Sequence, residues 1–101
     1  MSFATISNWE NAPGIDNEQL QLTIRQTYVS AVLGFGASDV YFVQTSATTS
    51  TTFTVYPDQA KADAAKKRQD TVRAHVAGEL GIKMISDARG NVFASGKVMP
   101  L

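Results

Sequence analysis

The sequence predicts an α+β domain in which an antiparallel four-stranded sheet carries two helices on one face. The prediction rests on the order of hydrophobic periods along the 101 residues. A period of two residues, typical of strands, comes first, and a period of 3.6, typical of helices, follows it. Two further strand periods, a helix period and a last strand period complete the chain. This order is the split βαβ arrangement of the ferredoxin-like βαββαβ sandwich, and we place a single domain over 1–101.

Turn and capping residues mark the ends of the first two elements. The first strand covers 2–9, and the Pro-Gly pair at 13–14 indicates a turn after it. Asp16 is a suitable N-cap for a helix that runs to about Leu33. Gly34 then stops the helix, because glycine is common just beyond a helix end.

The second half of the chain begins with a hairpin. The segments 40–43 and 52–56 are rich in strand-forming residues, and the Thr-rich connection between them is polar. Asp58 is a suitable N-cap for the second helix, which extends to about Leu80. Its sequence of Ala, Lys, Gln and Arg residues consists of strong helix formers.

The last stretch of the chain is predicted to be extended. Ile82, Met84 and Ile85 open this fourth strand. The segment 87–90, Asp-Ala-Arg-Gly, predicts a turn, which is either a bulge or a small hairpin within the strand.

Composition excludes several classes of function. Lys and Arg together number nine, as do Asp and Glu, so the chain has no basic surface for nucleic acid or anionic membranes. There is no cysteine and only one histidine, His75, which excludes thiolate sites and multi-histidine metal sites within one chain. We expect no metal site and no cofactor. The N-terminus lacks the features of a signal peptide, and no apolar stretch approaches the roughly 20 residues of a membrane span. We expect a cytoplasmic protein.

The strands are apolar on both faces, although helices cover only one. In the second strand Tyr41 and Phe42 point to opposite faces, and in the first strand Phe3 and Trp9 share a face. An exposed apolar sheet face of several hundred Å² is typical of an interaction surface. A second copy of the chain is the simplest cover, so we predict a homodimer with these four residues as interface candidates. The pattern leaves open which face is the interface.

The first helix has a second apolar stripe, formed by Leu22, Val29 and Leu33. The C-terminal tail, 98–101, or the loop 10–15 could cover this stripe, and a further contact between subunits is the alternative. We favour cover by the tail or the loop over a subunit contact, because the tail is apolar enough to serve.

Four segments carry a resemblance to a known superfamily. They are the opening Phe-Ala-Thr-Ile-Ser-Asn-Trp, the central Val-Tyr-Phe-Val, the Val-Tyr-Pro-Asp before the second helix and the closing Gly-Asn-Val-Phe-Ala-Ser-Gly. The chain resembles the dimeric α/β-barrel proteins that include the antibiotic biosynthesis monooxygenases, and especially short members from marine bacteria or marine viruses. The resemblance implies a homodimer with its two sheets face to face. It also implies a pocket between sheet and helices in each subunit.

The resemblance also suggests candidate site residues. Members that oxygenate quinol-like substrates or degrade haem do so without a bound flavin or a dedicated metal. The haem-degrading branch uses an Asn on the first strand and a Trp and a His on the second helix. Asn8 and His75 match two of these residues, but the second helix has no Trp, so we do not expect haem to bind.

Helical spacing adds a third candidate, Tyr28, which lies on the inward stripe of the first helix. We predict that Asn8, Tyr28 and His75 line a pocket between sheet and helices. Each also has a structural alternative. Asn8 could end a strand, Tyr28 could be a core aromatic with a hydrogen-bonded hydroxyl, and His75 could be a half-exposed surface residue.

Two functions are compatible with these observations. One is a homodimer that binds a small apolar molecule between sheet and helices, and that could be a cofactor-free oxygenase. The other is a non-catalytic structural or assembly module of the same fold. A cavity of about 300 Å³ or more would favour the first, and a pocket plugged by Tyr28, Phe42 and Met84 would favour the second.

Overall fold

The structure is a computed structural model that describes residues 1–96, and it contains one sheet and two helical segments. The strands are β1 (Phe3–Asn11), β2 (Asp39–Gln44), β3 (Thr49–Tyr56) and β4 (Ile82–Asn91). The first helical segment consists of α1 (Asn17–Thr23), a π-helical turn (Ile24–Tyr28) and α2 (Val29–Leu33), and the second is α3 (Gln59–Leu80). The predicted order of elements is confirmed.

The sheet has the strand order β2-β3-β1-β4, and every neighbouring pair is antiparallel. The first helical segment connects β1 to β2 across β3, and α3 connects β3 to β4 across β1. This topology is that of the ferredoxin-like fold, as the hydrophobic periods predicted. The two edge strands, β2 and β4, each pair on one side only.

Side-chain caps set both helix starts. The Asp16 carboxylate accepts hydrogen bonds from the backbone N–H groups of Glu18 and Gln19, at 3.0 and 3.3 Å. Asp58 accepts from the backbone N–H of Lys61 at 2.8 Å. These bonds satisfy donors that have no partner within the helix, so the predicted starts are confirmed.

The predicted turn at 87–90 is wrong. β4 continues through this segment, where Asp87 pairs with Ser7 and Ala88 with Ile6. Gly90 does not adopt a positive φ, so the residue that suggested the turn is in ordinary extended backbone. The irregularity in β4 comes earlier, because its register with β1 shifts between Asn8 and Trp9 and leaves Ile85 as the additional residue.

Two clusters of buried apolar side chains fill the space between sheet and helices. Their buried members are Trp9, Leu20, Tyr28, Val76 and Ile82 in one cluster, and Phe3, Tyr56, Ala62 and Ala65 in the other. The helix-facing side of β1 thus contains Phe3, Thr5, Ser7 and Trp9, all buried. The alternate residues of β1 lie on the opposite, open face of the sheet.

The second stripe of the first helical segment is partly exposed. Leu22 and Leu33 keep about two-fifths of their surface accessible, and Val29 is partly buried. The loop 10–15 contributes Ile15, which packs against the first core cluster. The tail 98–101, which with this loop was a predicted cover of the stripe, lies outside the described residues.

Within residues 1–96, no helix combines the length and apolar character needed to cross a membrane.

Candidate functional site

Two of the three predicted site residues lie together between the helices. The Tyr28 hydroxyl donates a hydrogen bond to Glu79 Oε2 at 3.1 Å, and His75 Nε2 lies 2.8 Å from the same oxygen. The Tyr28 and His75 rings are 6.4 Å apart between centroids. Tyr28 is buried, whereas His75 and Glu79 are exposed on α3. One carboxylate oxygen therefore connects the end of the π-helical turn to α3.

This environment shifts the ionisation of Tyr28. Burial raises the pKa of its phenol, and the hydrogen bond to Glu79 and the negative charge of that carboxylate raise the pKa further. The phenol therefore stays neutral well beyond neutral pH and acts as a hydrogen-bond donor. Glu79 was not among the predicted residues, but its position four residues after His75 on a helix is the signal that could have found it.

Asn8 lies on the open face of the sheet, away from Tyr28 and His75. Its Nδ2 donates to Ser86 Oγ at 3.1 Å, and its Oδ1 accepts from Thr51 Oγ1 at 2.7 Å. Asn8 thus connects β3, β1 and β4 across the open face. The three predicted residues do not line one pocket in a single subunit, because the sheet separates Asn8 from the other two.

The interior between sheet and helices is nearly filled. Its cavity has a volume of about 50 Å³, which holds roughly one or two water molecules and no organic ligand of ordinary size. Its walls include Trp9, Tyr28, Phe42, Gln69 and Val76. Two of the three side chains that we named as possible plugs, Tyr28 and Phe42, thus line the space.

Gln69 is a buried polar residue that the sequence prediction missed. Its Oε1 accepts a hydrogen bond from the Tyr56 hydroxyl at 3.1 Å, and its Nε2 donates to Thr5 Oγ1 at 2.9 Å. Burial raises the pKa of Tyr56, and the charges of Arg73 and Arg89 lower it in part. A glutamine in a helix rich in polar residues has no sequence feature that marks it as buried.

A wider recess is a groove between the first helical segment and β2, with a volume of about 530 Å³. This volume lies within the range of small-molecule sites, about 300–1,000 Å³. The helical segment approaches β2 at α2 and stands further from it at α1, so the groove opens beside α1. Its apolar wall includes Leu20, Ile24, Val29, Val40 and Phe42. Tyr41 and Val43 of the edge strand β2 also line the groove.

Amide side chains border one end of the groove. Gln21 Nε2 donates to Gln44 Oε1 at 2.6 Å, which connects α1 to the end of β2. Asn17 Nδ2 donates to the backbone carbonyl of Ala47 at 2.8 Å. Arg25 lies one turn further along the helical segment and contributes the positive charge of the lining. The groove therefore combines an apolar wall with a short polar rim.

The open face of the sheet carries an apolar row across all four strands. Tyr41 pairs with Phe53, Phe53 with Ile6, and Ile6 with Ala88. Tyr41 is 57% exposed and Phe53 is 37% exposed. Val43, two residues from Tyr41 on the same face, is also exposed.

The structure corrects three of the four interface candidates. Phe3 and Trp9 are buried beneath the helices, and Phe42 packs against the cluster that contains Trp9. Their aromatic rings form the core of the subunit because the helices cover that face. Tyr41 alone of the four lies on the open face.

Comparison with known proteins identifies the fold. No protein-family model and no curated protein matches the chain. A dimeric ferredoxin-like protein from an uncultured marine organism is similar to it, with a TM-score of 0.71 and 13% identity over 94% of this chain and 98% of that chain. A protein of unknown function from Nitrosomonas europaea has a TM-score of 0.70 and 13% identity, over 98% of this chain and 96% of that chain. The ferredoxin-like fold is thereby confirmed, and the resemblance to the monooxygenase superfamily is not.

Proposed function

We propose that this protein is a homodimer, packed sheet to sheet, that binds a small and mainly apolar molecule in the groove between the first helical segment and β2. The observation that carries the ligand proposal is the groove itself, with its volume of about 530 Å³ and its apolar wall. The predicted site between sheet and helices has too little space for such a ligand. The proposed site therefore lies beside the helix rather than beneath it.

The open sheet face supports the homodimer. A row of exposed Tyr41 and Phe53 with partly buried Ile6 is unusual for a monomer, because water contact with a contiguous apolar patch is unfavourable. A second copy brings an identical row, so one two-fold contact covers both. The similar protein from the marine organism is described as dimeric, which supports a dimer here.

The proposal does not include oxygenation. A general acid or base must lie within hydrogen-bond reach of the proton that it transfers. Among the described residues, the groove lining contains no His, Asp or Glu, and the Tyr28–Glu79–His75 cluster lies outside it. Binding is the function that this lining supports.

Backbone amide chemical shifts test the proposal. The protein labelled with ¹⁵N is titrated with 1-octanol, an apolar probe small enough for the groove. We expect saturable shifts at Leu20, Ile24 and Val40, and none around Gln69. Shifts that are absent, or that lie elsewhere, would contradict the proposal.

A matched pair of variants locates the binding. Val29→Trp places an indole in the groove and should abolish the octanol shifts. Thr27→Trp places the same group at an exposed position of the π-helical turn that does not line the groove, and should leave binding intact. Circular dichroism verifies that both variants fold. Equal loss of binding in the two variants would show that the effect is not local to the groove.

The alternative function is a non-catalytic assembly module. The filled interior favours it, because a fold used only for association needs no cavity. In that case the dimer forms, but octanol causes no saturable shifts in the groove.

A further inference from the structure

We propose that the molecule bound in the groove is a small organic monocarboxylate, with its apolar body against the helix and β2 and its carboxylate on Arg25. This inference rests on the proposed binding function and assigns the chemical class of its ligand.

The charge of the groove supports an anionic ligand. Within residues 1–96, Arg25 is the only charged side chain that lines the groove, and it has no ion pair with an acidic side chain. Two of the three other arginines have such partners, since Arg73 lies 3.4 Å from Asp87 and Arg89 lies 2.8 Å from Asp63. Arg68 has none within residues 1–96, but it does not line the groove. A guanidinium beside an apolar wall is thus left with its donors available, and its planar geometry suits a carboxylate.

The neighbouring amides are already occupied, which makes Arg25 the available polar contact on this side of the groove. Asn17, Gln21 and Arg25 follow one another at intervals of four along the rim. Gln21 is bonded to Gln44, and Asn17 is bonded to the carbonyl of Ala47. A ligand that displaced these amides would have to replace their hydrogen bonds, whereas a ligand on Arg25 displaces only water.

The apolar wall indicates that the rest of the ligand is apolar and carries no second charge. Leu20, Ile24 and Val29 face Val40 and Phe42 across the groove, and none of them offers a polar side-chain atom. A second negative charge would lie against this wall without a cation, which is unfavourable. A single carboxylate on an aliphatic or aromatic body therefore matches the lining better than a dicarboxylate or a phosphorylated compound.

Octanoate and 1-octanol, which share a chain of eight carbons and differ in charge, test the assignment. Isothermal titration calorimetry at low salt should show octanoate binding more tightly than octanol. In Arg25→Gln we expect octanoate affinity to fall about fivefold to tenfold, while octanol affinity is unchanged. The difference between wild type and Arg25→Gln should shrink at high salt, because the exposed guanidinium is screened.

Arg68→Gln is the matched control. It removes the same charge from an exposed position on α3 that does not line the groove, so octanoate affinity should equal that of the wild type. Equal affinities for octanoate and octanol, with no effect of Arg25→Gln, would overturn the carboxylate assignment and leave the binding function standing. A loss of affinity as large in Arg68→Gln would also overturn it, by attributing the effect to net charge. Failure of both probes to bind would overturn the binding function itself.

Discussion

At the scale of single residues, hydrogen bonds offset the cost of burying polar side chains beneath the helices. The amide of Gln69 lies between the hydroxyls of Tyr56 and Thr5, and all three residues are buried. The indole N–H of Trp9 is likewise satisfied, by Ser7 Oγ at 2.8 Å. A buried hydroxyl without a partner costs about 1–3 kcal/mol. The helix-facing side of β1 tolerates Thr5 and Ser7 because Gln69 of α3 donates a hydrogen bond to Thr5 and the Trp9 indole donates one to Ser7.

The first prediction concerns Gln69. Gln69→Met keeps a similar volume but leaves the Thr5 and Tyr56 hydroxyls unpaired, so the free energy of unfolding should fall by about 1–3 kcal/mol. Urea denaturation measures the change. Tyr56→Phe in the same background should cost less than Tyr56→Phe alone, because the hydroxyl has then already lost its partner. Additive effects of the two substitutions would contradict this coupling.

The second prediction concerns how the free energy of unfolding changes at alkaline pH. Burial and Glu79 raise the pKa of the Tyr28 phenol above its ordinary value near 10, so the unfolded chain loses this proton first. The stabilisation is complete below about pH 10 and decreases as the pH rises through the folded-state value. In Tyr28→Phe the free energy of unfolding should therefore decline less steeply as the pH rises above about 10. An identical slope in both proteins would contradict the assignment.

The site residues show what alternation and spacing predict and what they leave out. Helical spacing correctly placed Tyr28 on the inward stripe. Asn8 alternates with Trp9 along β1, so the two must lie on opposite faces, but alternation does not say which face the helices cover. The groove was not predicted because its walls come from elements distant in sequence, and its depth depends on how far α1 stands from β2.

At the scale of elements, the π-helical turn explains how one apolar stripe stays beneath the helix. Leu20, Ile24, Tyr28 and Val32 repeat every four residues, and in a regular α-helix each step of four drifts by about 40° around the axis. A π-helical turn has more residues per turn and absorbs this drift. Leu20, Tyr28 and Val32 consequently all remain buried. The strict spacing of four was visible in the sequence, whereas the local winding that accommodates it depends on packing against the sheet.

The third prediction compares two glycines near the end of α3. Gly81 has φ +67°, and a Cβ there would lie 2.8 Å from Ile15 Cδ1, whereas Gly78 lies within the helix with open space around it. Gly81→Ala should lower the free energy of unfolding by about 1–2 kcal/mol, mainly through backbone strain. Gly78→Ala should raise it by about 0.5–1 kcal/mol, because alanine is the better helix former. Thermal unfolding of the two variants measures both signs, and a stabilising Gly81→Ala would be the contrary result.

At the scale of the whole molecule, the ferredoxin-like topology places apolar residues on both faces of the sheet, and only one face is covered by helices. The helix-facing side builds the core, and the open side carries the row of Tyr41, Phe53 and Ile6, which we propose as the contact with a second copy. The sequence established that β2 is apolar on both sides, because adjacent residues point to opposite faces. It did not establish which side is which, since that depends on the packing of the connecting helices against the sheet.

The last prediction uses two adjacent aromatics of β2. In Tyr41→Glu a charge enters the proposed interface twice, once from each copy, so sedimentation equilibrium at micromolar concentration should show a dimer for the wild type and a folded monomer for the variant. Phe42→Glu instead places the charge against the core and should lower the free energy of unfolding by about 2–4 kcal/mol. Gln26→Glu, at an exposed position of the π-helical turn, is the control and should change neither property. A wild type that is monomeric, or a Tyr41→Glu variant that remains dimeric, would contradict assembly through the open face.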